Sequence, residues 1–99
     1  MRQIKELAEH IEEEIHDAHK YIEAALMYKG SDKELAEMYS HLSDDELIHS
    51  HREHEQMVRL IRKLKDSPPP EMMAIWEYLH KKHIECESEV KILQAMYRE

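Results

Sequence analysis

A glutamate and a histidine three residues apart are the strongest candidates for chemistry in this sequence of 99 residues. Glu46 and His49 belong to the run Glu46-Leu47-Ile48-His49 and interrupt a stripe at helical spacing that is otherwise apolar. Ionisable side chains on a buried helix face are costly unless they are paired or bound to a metal ion. Residues three apart share a helix face, so this pair can offer a carboxylate oxygen and an imidazole nitrogen to one ion. The spacing therefore predicts a metal site.

The helix that carries this pair is predicted to be continuous. Ser43 followed by Glu46 is a capping-box pattern, which alternatively predicts that a new helix begins at Ser43. However, no Gly or Pro interrupts the region, and the stripe keeps its phase on both sides of Ser43. We therefore expect one long helix. Its stripe consists of Leu35, Tyr39, Leu42, Glu46, His49, Glu53, Leu60 and Leu64.

A second carboxylate, Glu14, falls within the apolar stripe of an earlier helix. Glu14 lies fifteen residues before Lys29, and Glu46 lies fifteen residues after Ser31. In an antiparallel pair of helices the two glutamates would be level, about 22 Å from the turn. Glu14 is therefore a candidate ligand of the same site. Its stripe consists of Ile4, Leu7, Ala8, Ile11, Ile15, Ala18, Ile22, Ala25 and Leu26.

The elements that must position these residues are three helices in a single all-α domain spanning residues 1–99. Gly30 is expected in the left-handed conformation that often ends a helix, and Ser31 with Glu34 predicts a capping box for the next one. Prolines cannot continue a helix but are accepted at its first position, so Ser67 to Pro70 separates the second helix from the third. The predicted helices cover about 2–29, 32–66 and 70–98, packed as an antiparallel three-helix bundle.

Three further residues are weaker candidates for the same polar layer. Glu53 lies one turn after His49, and it is as suited to pairing with another side chain as to binding metal. His83 interrupts the apolar face of the third helix, and Glu87 follows one turn later on its flank. Counted from the proline linker, Glu87 comes level with His49 and His83 with Glu53.

The other histidines are not predicted to share a site. His51 and His54 fall on outer or flanking positions of the second helix, as do His16 and His19 on the first, so we expect all four to be solvated. Glu77-Tyr78-Leu79-His80 repeats the Glu-x-x-His spacing, but its glutamate points away from the apolar face.

The composition excludes several classes of protein. Charged residues make up 36% of the chain, so a membrane-embedded protein is excluded, and no apolar run approaches the ~20 residues of a membrane span. The formal net charge of −8 argues against a nucleic-acid partner. Cys86 is the single cysteine, which excludes a disulfide framework and a cysteine-based zinc site. With no signal-peptide pattern at the start, we expect a cytoplasmic protein.

The spacing of these residues resembles the ferritin-like superfamily, including rubrerythrins, encapsulin-associated ferritins and small ferritin-like proteins of prophage type. The resemblance rests on Glu14 with Tyr21 seven residues later, and on Glu46 and His49, and it covers about residues 7–64. It implies that Glu14 is a terminal carboxylate ligand, that Glu46 bridges two irons and that His49 is a terminal imidazole ligand. Tyr21 would be a nearby tyrosine that hydrogen-bonds to the ligands.

The resemblance leaves open how the site would be completed. A complete di-iron site of this class takes ligands from four helices, including two Glu-x-x-His pairs, whereas this chain has three helices and one well-placed pair. Either two chains form a homodimer whose twofold axis doubles the ligand set, completing a four-helix bundle, or the third helix contributes His83 and Glu87.

Two functions follow from these alternatives. The first is the binding of iron, or alternatively of manganese or zinc. If the metal is iron, the resemblance implies oxidation of Fe(II) by O2, with no catalytic residues beyond the metal ligands. The second is a metal-free three-helix interaction module in which the same residues form a buried hydrogen-bonded network.

Overall fold

The predicted all-helical fold is confirmed by a computed structural model, which describes residues 2–63 and 70–99. The three helices are α1 (Arg2–Tyr28), α2 (Lys33–Arg62) and α3 (Pro70–Arg98). The described residues contain no strand. The ends of α1 and α3 and the starts of all three helices lie within one residue of their predictions. Helix α2 ends at Arg62, before its expected end near Asp66; Leu64, Asp66 and the Ser67–Pro69 segment lie outside the described residues. The described residues extend 55 Å along the long axis and 17 Å along each of the others.

Helix α1 forms because its apolar side chains recur every three or four residues. Its isoleucines and alanines are buried, and Ala18, Ile22 and Ala25 are fully inaccessible to solvent. Burying an isoleucine side chain contributes about 1.5–3 kcal/mol, so four of them drive this helix into the core. The predicted stripe of α1 is confirmed, with Leu7 and Leu26 half-buried at its edge.

The connection between α1 and α2 is a right-handed turn, which corrects two predictions. The amides of Ser31 and Asp32 both donate to the carbonyl of Tyr28, at 3.0 and 2.8 Å. These bonds continue the sense of the helix, so Gly30 does not adopt the left-handed conformation expected of it. The N-cap of α2 is Asp32 rather than Ser31, because the Asp32 carboxylate accepts a hydrogen bond of 3.1 Å from the Leu35 amide.

Helix α2 runs without interruption through Ser43, as expected, but it buries a different line of residues from the predicted one. The described members of the predicted stripe lie on the flank of the helix, where they are half-buried or, for His49, exposed. The buried line is offset by one position and includes three serines, which a search for apolar periodicity does not count. It consists of Ala36, Ser40, Ser43, Leu47, Ser50 and Met57.

The small residues of this line bring α1 and α2 close together. Ser43 is fully buried and donates a hydrogen bond of 2.7 Å to the carbonyl of Ala18 in α1. It also accepts one of 3.0 Å from the Gln94 side chain in α3. One hydroxyl therefore joins all three helices, at a position where the sequence suggested a helix start.

Helix α3 packs mainly on α1 and approaches α2 closely at few places in the described part of the chain. The apolar face that His83 interrupts is confirmed in outline. His83 and Val90 are buried, and its other predicted members are half-buried: Met72, Trp76, Leu79, Cys86, Leu93 and Tyr97. Lys82 forms an ion pair of 2.6 Å with Glu12 of α1. None of the described helices is both long enough and apolar enough to cross a membrane.

Candidate metal centre

The residues predicted to bind metal lie on one side of the α1–α2 pair, away from α3. Lys82 of α3 contacts Glu12, and Glu14 projects about 160° away from Glu12 around the α1 axis. His51 of α2 contacts Glu87 of α3, and Glu46 projects about 140° away from His51. We refer to the surface formed by Glu14, Glu46, His49 and Glu53 as the carboxylate face.

Glu46 and His49 interact as their spacing predicts. His49 Nδ1 lies 3.2 Å from Glu46 Oε1, one turn apart on α2. The Glu46 side chain is 20% exposed and that of His49 is 50% exposed. A neutral imidazole that donates from Nδ1 to this carboxylate has its lone pair on Nε2, the nitrogen that would bind a metal ion.

Among the described residues, Glu14 has the most strongly shifted pKa. Its Oε2 atom is buried and has no hydrogen-bond partner among residues 2–63 and 70–99. Burial, together with the neighbouring carboxyls of Glu53, Glu46 and Asp17, raises the pKa of Glu14 to about 8 from an ordinary value of 4.5. At neutral pH this carboxyl therefore holds a proton.

Glu53 is the third carboxyl of this face. Its Oε2 atom is also buried and lacks a hydrogen-bond partner in the described part of the chain. The imidazole of His10 approaches it only to 4.0 Å, too far for a hydrogen bond. Glu14, Glu46 and Glu53 thus place three carboxyls from two helices close together, with two buried oxygens left unsatisfied.

Tyr21 lies on α1, two helical turns after Glu14, in a row of tyrosines between α1 and α2. Its ring stacks on Tyr39, with centroids 6.2 Å apart, and Tyr39 stacks on Tyr28 at 6.1 Å. The hydrogen bond to a ligand that the family resemblance implies for Tyr21 stays a prediction.

His83 and Glu87 are brought to a different place. They line a cavity of about 180 Å³ between α2 and α3, and none of the four residues of the carboxylate face lines it. Glu87 lies 2.7 Å from His51 and 3.0 Å from Lys91. Burial alone would raise the pKa of Glu87, but Lys91 and His51 outweigh it and lower that pKa.

The same cavity contains histidines that the sequence analysis expected to be solvated. His54 is half-buried, and its Nε2 lies 3.2 Å from Nδ1 of His80 across the α2–α3 gap. Burial, with repulsion from His80 and His51, lowers the pKa of His54. The signal that could have revealed the cluster is a His-x-x-His spacing on each helix, at His51 and His54 and at His80 and His83.

In the described residues, no three side chains of His, Cys, Asp or Glu are grouped so that they could hold one metal ion between them. Comparisons with protein-family models, with curated proteins and with solved structures each found no match for this chain.

Proposed function

We propose that this chain is a ferritin-like protein that binds iron at the carboxylate face, with Glu14, Glu46 and His49 as ligands and Glu53 beside them. The observation that carries the proposal is the pair of buried Oε2 atoms of Glu14 and Glu53, which have no hydrogen-bond partner among the described residues. In keeping with this, burial and the carboxyls of Glu53, Glu46 and Asp17 raise the pKa of Glu14 to about 8. Such a group is unfavourable in its charged form unless a cation lies next to it. The buried, unpaired oxygens of Glu14 and Glu53 are free to accept one.

The donor set fits a divalent ion of the first transition series. Carboxylate oxygens with an imidazole nitrogen suit iron, manganese and zinc, so ligand type does not choose among them. Ligation requires Glu14 to lose its proton, and until then Glu14 holds it against Glu53. If the bound ion is Fe(II), we expect it to be oxidised by O2 at this site, as the resemblance implies.

We infer that the helices run antiparallel and that a second copy completes the site. Ala18 of α1 contacts Ser43 of α2, and His10, earlier in α1, approaches Glu53, later in α2. Residue numbers therefore rise along α2 as they fall along α1. The carboxylate face is not covered by α3, and its flanking leucines are only half-buried: Leu7, Leu35, Leu42 and Leu60. A twofold axis through this face would bury these leucines and double the ligand set.

The competing function is a metal-free interaction module specified by buried polar contacts. Ser43 favours it, because its hydroxyl already links α1, α2 and α3 without any ion. In this case the carboxylate face would be an acidic surface, and Glu14 would remain protonated in the working protein.

Native mass spectrometry after anaerobic addition of Fe(II) separates the two functions. We expect a wild-type dimer with two irons that Glu14→Gln and Glu46→Gln each remove. Glu13→Gln is the matched control, since Glu13 is exposed on the same helix. A wild-type chain that takes up no iron, or an iron count that survives both substitutions, would rule out this site.

A further inference from the structure

The cavity between α2 and α3 contains a cluster of side chains unrelated to the carboxylate face. We propose that its histidines form a second metal site, which binds a zinc-type divalent ion within a single chain. His54 and His80 supply the first two ligands. We refer to His51, His54, His80 and His83 as the histidine cluster.

The separation of His54 and His80 is that of two ligands on one ion. In a tetrahedral site with metal–nitrogen bonds of about 2.0–2.1 Å, two ligand nitrogens lie about 3.3 Å apart and their ring centres about 5.2 Å apart. The observed nitrogen separation is 3.2 Å. The observed distance between ring centroids is 5.1 Å. These two imidazoles are hydrogen-bonded to each other, and their spacing also equals that of two ligands on one ion, with one ligand from each helix.

His83 gives independent support. It is only 5% exposed, and neither of its ring nitrogens has a hydrogen-bond partner in the described residues. A buried polar group without a partner costs about 1–3 kcal/mol. His80 and His83 are three residues apart, so both can face the same ion. Rotation of the His83 ring toward the His54–His80 pair would supply the third ligand and satisfy one of its nitrogens.

His51 and Glu87 complete the cluster. His51 precedes His54 by three residues, repeating on α2 the spacing of the pair on α3. Its Nε2 lies 2.7 Å from Glu87, and a carboxylate in this position orients an imidazole and increases its basicity. His51 can then present Nδ1 as a fourth ligand. Glu87 acts as a positioning residue.

The surroundings suit a nitrogen-rich site. The buried side chains of Ile11 and Ile15 line the α1 side of the cavity, which limits water on that side of the ion. Its volume of about 180 Å³ leaves room for an ion and for the rotation of an imidazole. Several imidazoles with at most one carboxylate favour zinc, cobalt, nickel or copper, whereas the carboxylate face offers mainly oxygen ligands.

Titration with Zn(II), and with Co(II) as a spectroscopic probe, tests the proposal on the full chain. Because the carboxylate face also suits zinc, the stoichiometry is measured in a Glu14→Gln/Glu46→Gln background. There we expect one Zn(II) per chain, a higher Tm when it is bound, and the intense visible absorption of tetrahedral Co(II). The substitution His54→Ala with His80→Ala should abolish all three signals. Both positions are partly open to solvent, so the variant should keep its helical circular dichroism, and His80→Gln alone provides a milder version.

Two controls make the result specific. His16→Ala with His19→Ala removes a His-x-x-His pair of equal spacing on α1 and should leave Zn(II) binding unchanged. The Glu14→Gln/Glu46→Gln background lacks the iron site proposed above, so Zn(II) bound in it reports on the histidine cluster alone and the two proposals fail separately. The histidine site is overturned if this background binds no Zn(II), if the His54/His80 variant made in it still binds Zn(II), or if both histidine-pair variants lose it equally.

Discussion

The carboxyl groups of Glu14 and Glu53 lie side by side between α1 and α2, and burial together with this proximity raises the pKa of Glu14 to about 8. The folded chain therefore holds a proton there that the unfolded chain releases near pH 4.5. This difference makes the free energy of unfolding depend on pH.

Glu14→Gln should remove part of that pH dependence. Between pH 4.5 and 8 the folded wild type binds more protons at this site than the unfolded chain, so the site's contribution to stability falls as pH rises. Glutamine cannot ionise, and the variant should gain stability relative to wild type across this window, most of all near pH 8. Thermal denaturation in a chelating buffer, followed by circular dichroism at several pH values, measures the difference.

The control for this experiment is Glu13→Gln, because Glu13 is exposed and adjacent in sequence. Its difference from wild type should vary little over the same pH range. A Glu14→Gln variant that runs parallel to wild type from pH 4.5 to 8 would show that Glu14 ionises normally. The electrostatic support for the carboxylate face would then be lost.

A second prediction concerns the hydroxyl that links the three helices. Ser43→Ala removes the donor to Ala18 and leaves the Gln94 amide without its acceptor in the core. We expect the free energy of unfolding to fall by about 1–3 kcal/mol, since buried partners lose their hydrogen bonds. Urea denaturation provides the measurement.

Ser50→Ala is the matched comparison for this loss. Ser50 is also buried, but its hydroxyl bonds the Leu47 carbonyl within its own helix, at 2.8 Å. Its removal should cost less than that of Ser43, because no other helix is involved. Equal losses in the two variants would mean that the contact between helices adds nothing.

The sequence predicted the fold where burial follows apolar side chains. The isoleucines and alanines of α1 mark its buried face directly, and the turn around Gly30 and the prolines place the end of α1 and the starts of α2 and α3 within about one residue. The buried face of α2 was misjudged because Ser43 and Ser50 are polar residues whose hydroxyls bond to backbone carbonyls. Such burial depends on the close approach of a neighbouring helix, which periodicity does not reveal.

The two candidate sites differ in how far sequence could identify them. Glu46 and His49 are neighbours on one helix turn, so their contact follows from local geometry. The contact between His54 and His80 joins residues 26 positions apart, and it depends on how α3 is placed against α2. Without that placement, each histidine could only be assigned to a helix flank, and their shared cavity remained hidden.

A third prediction follows from the unsatisfied state of His83. His83→Leu should raise the free energy of unfolding by about 1–3 kcal/mol without metal. The substitution replaces a buried imidazole that lacks hydrogen-bond partners with an apolar side chain that needs none. Burial, with repulsion from His54 and His80, lowers the pKa of His83 below 6.5. The wild type therefore loses stability as pH falls through 6.5, and the advantage of leucine should grow there.

Denaturation of His83→Leu with and without Zn(II) tests this prediction together with its functional cost. His10→Leu is the control, since His10 is exposed on α1 and its replacement should change stability by at most about 0.5 kcal/mol. The His83→Leu variant should be more stable than wild type in chelator, yet show a smaller rise in Tm on adding Zn(II). A variant less stable than wild type in chelator would show that the His83 ring is already satisfied, and that it is not held for a metal ion.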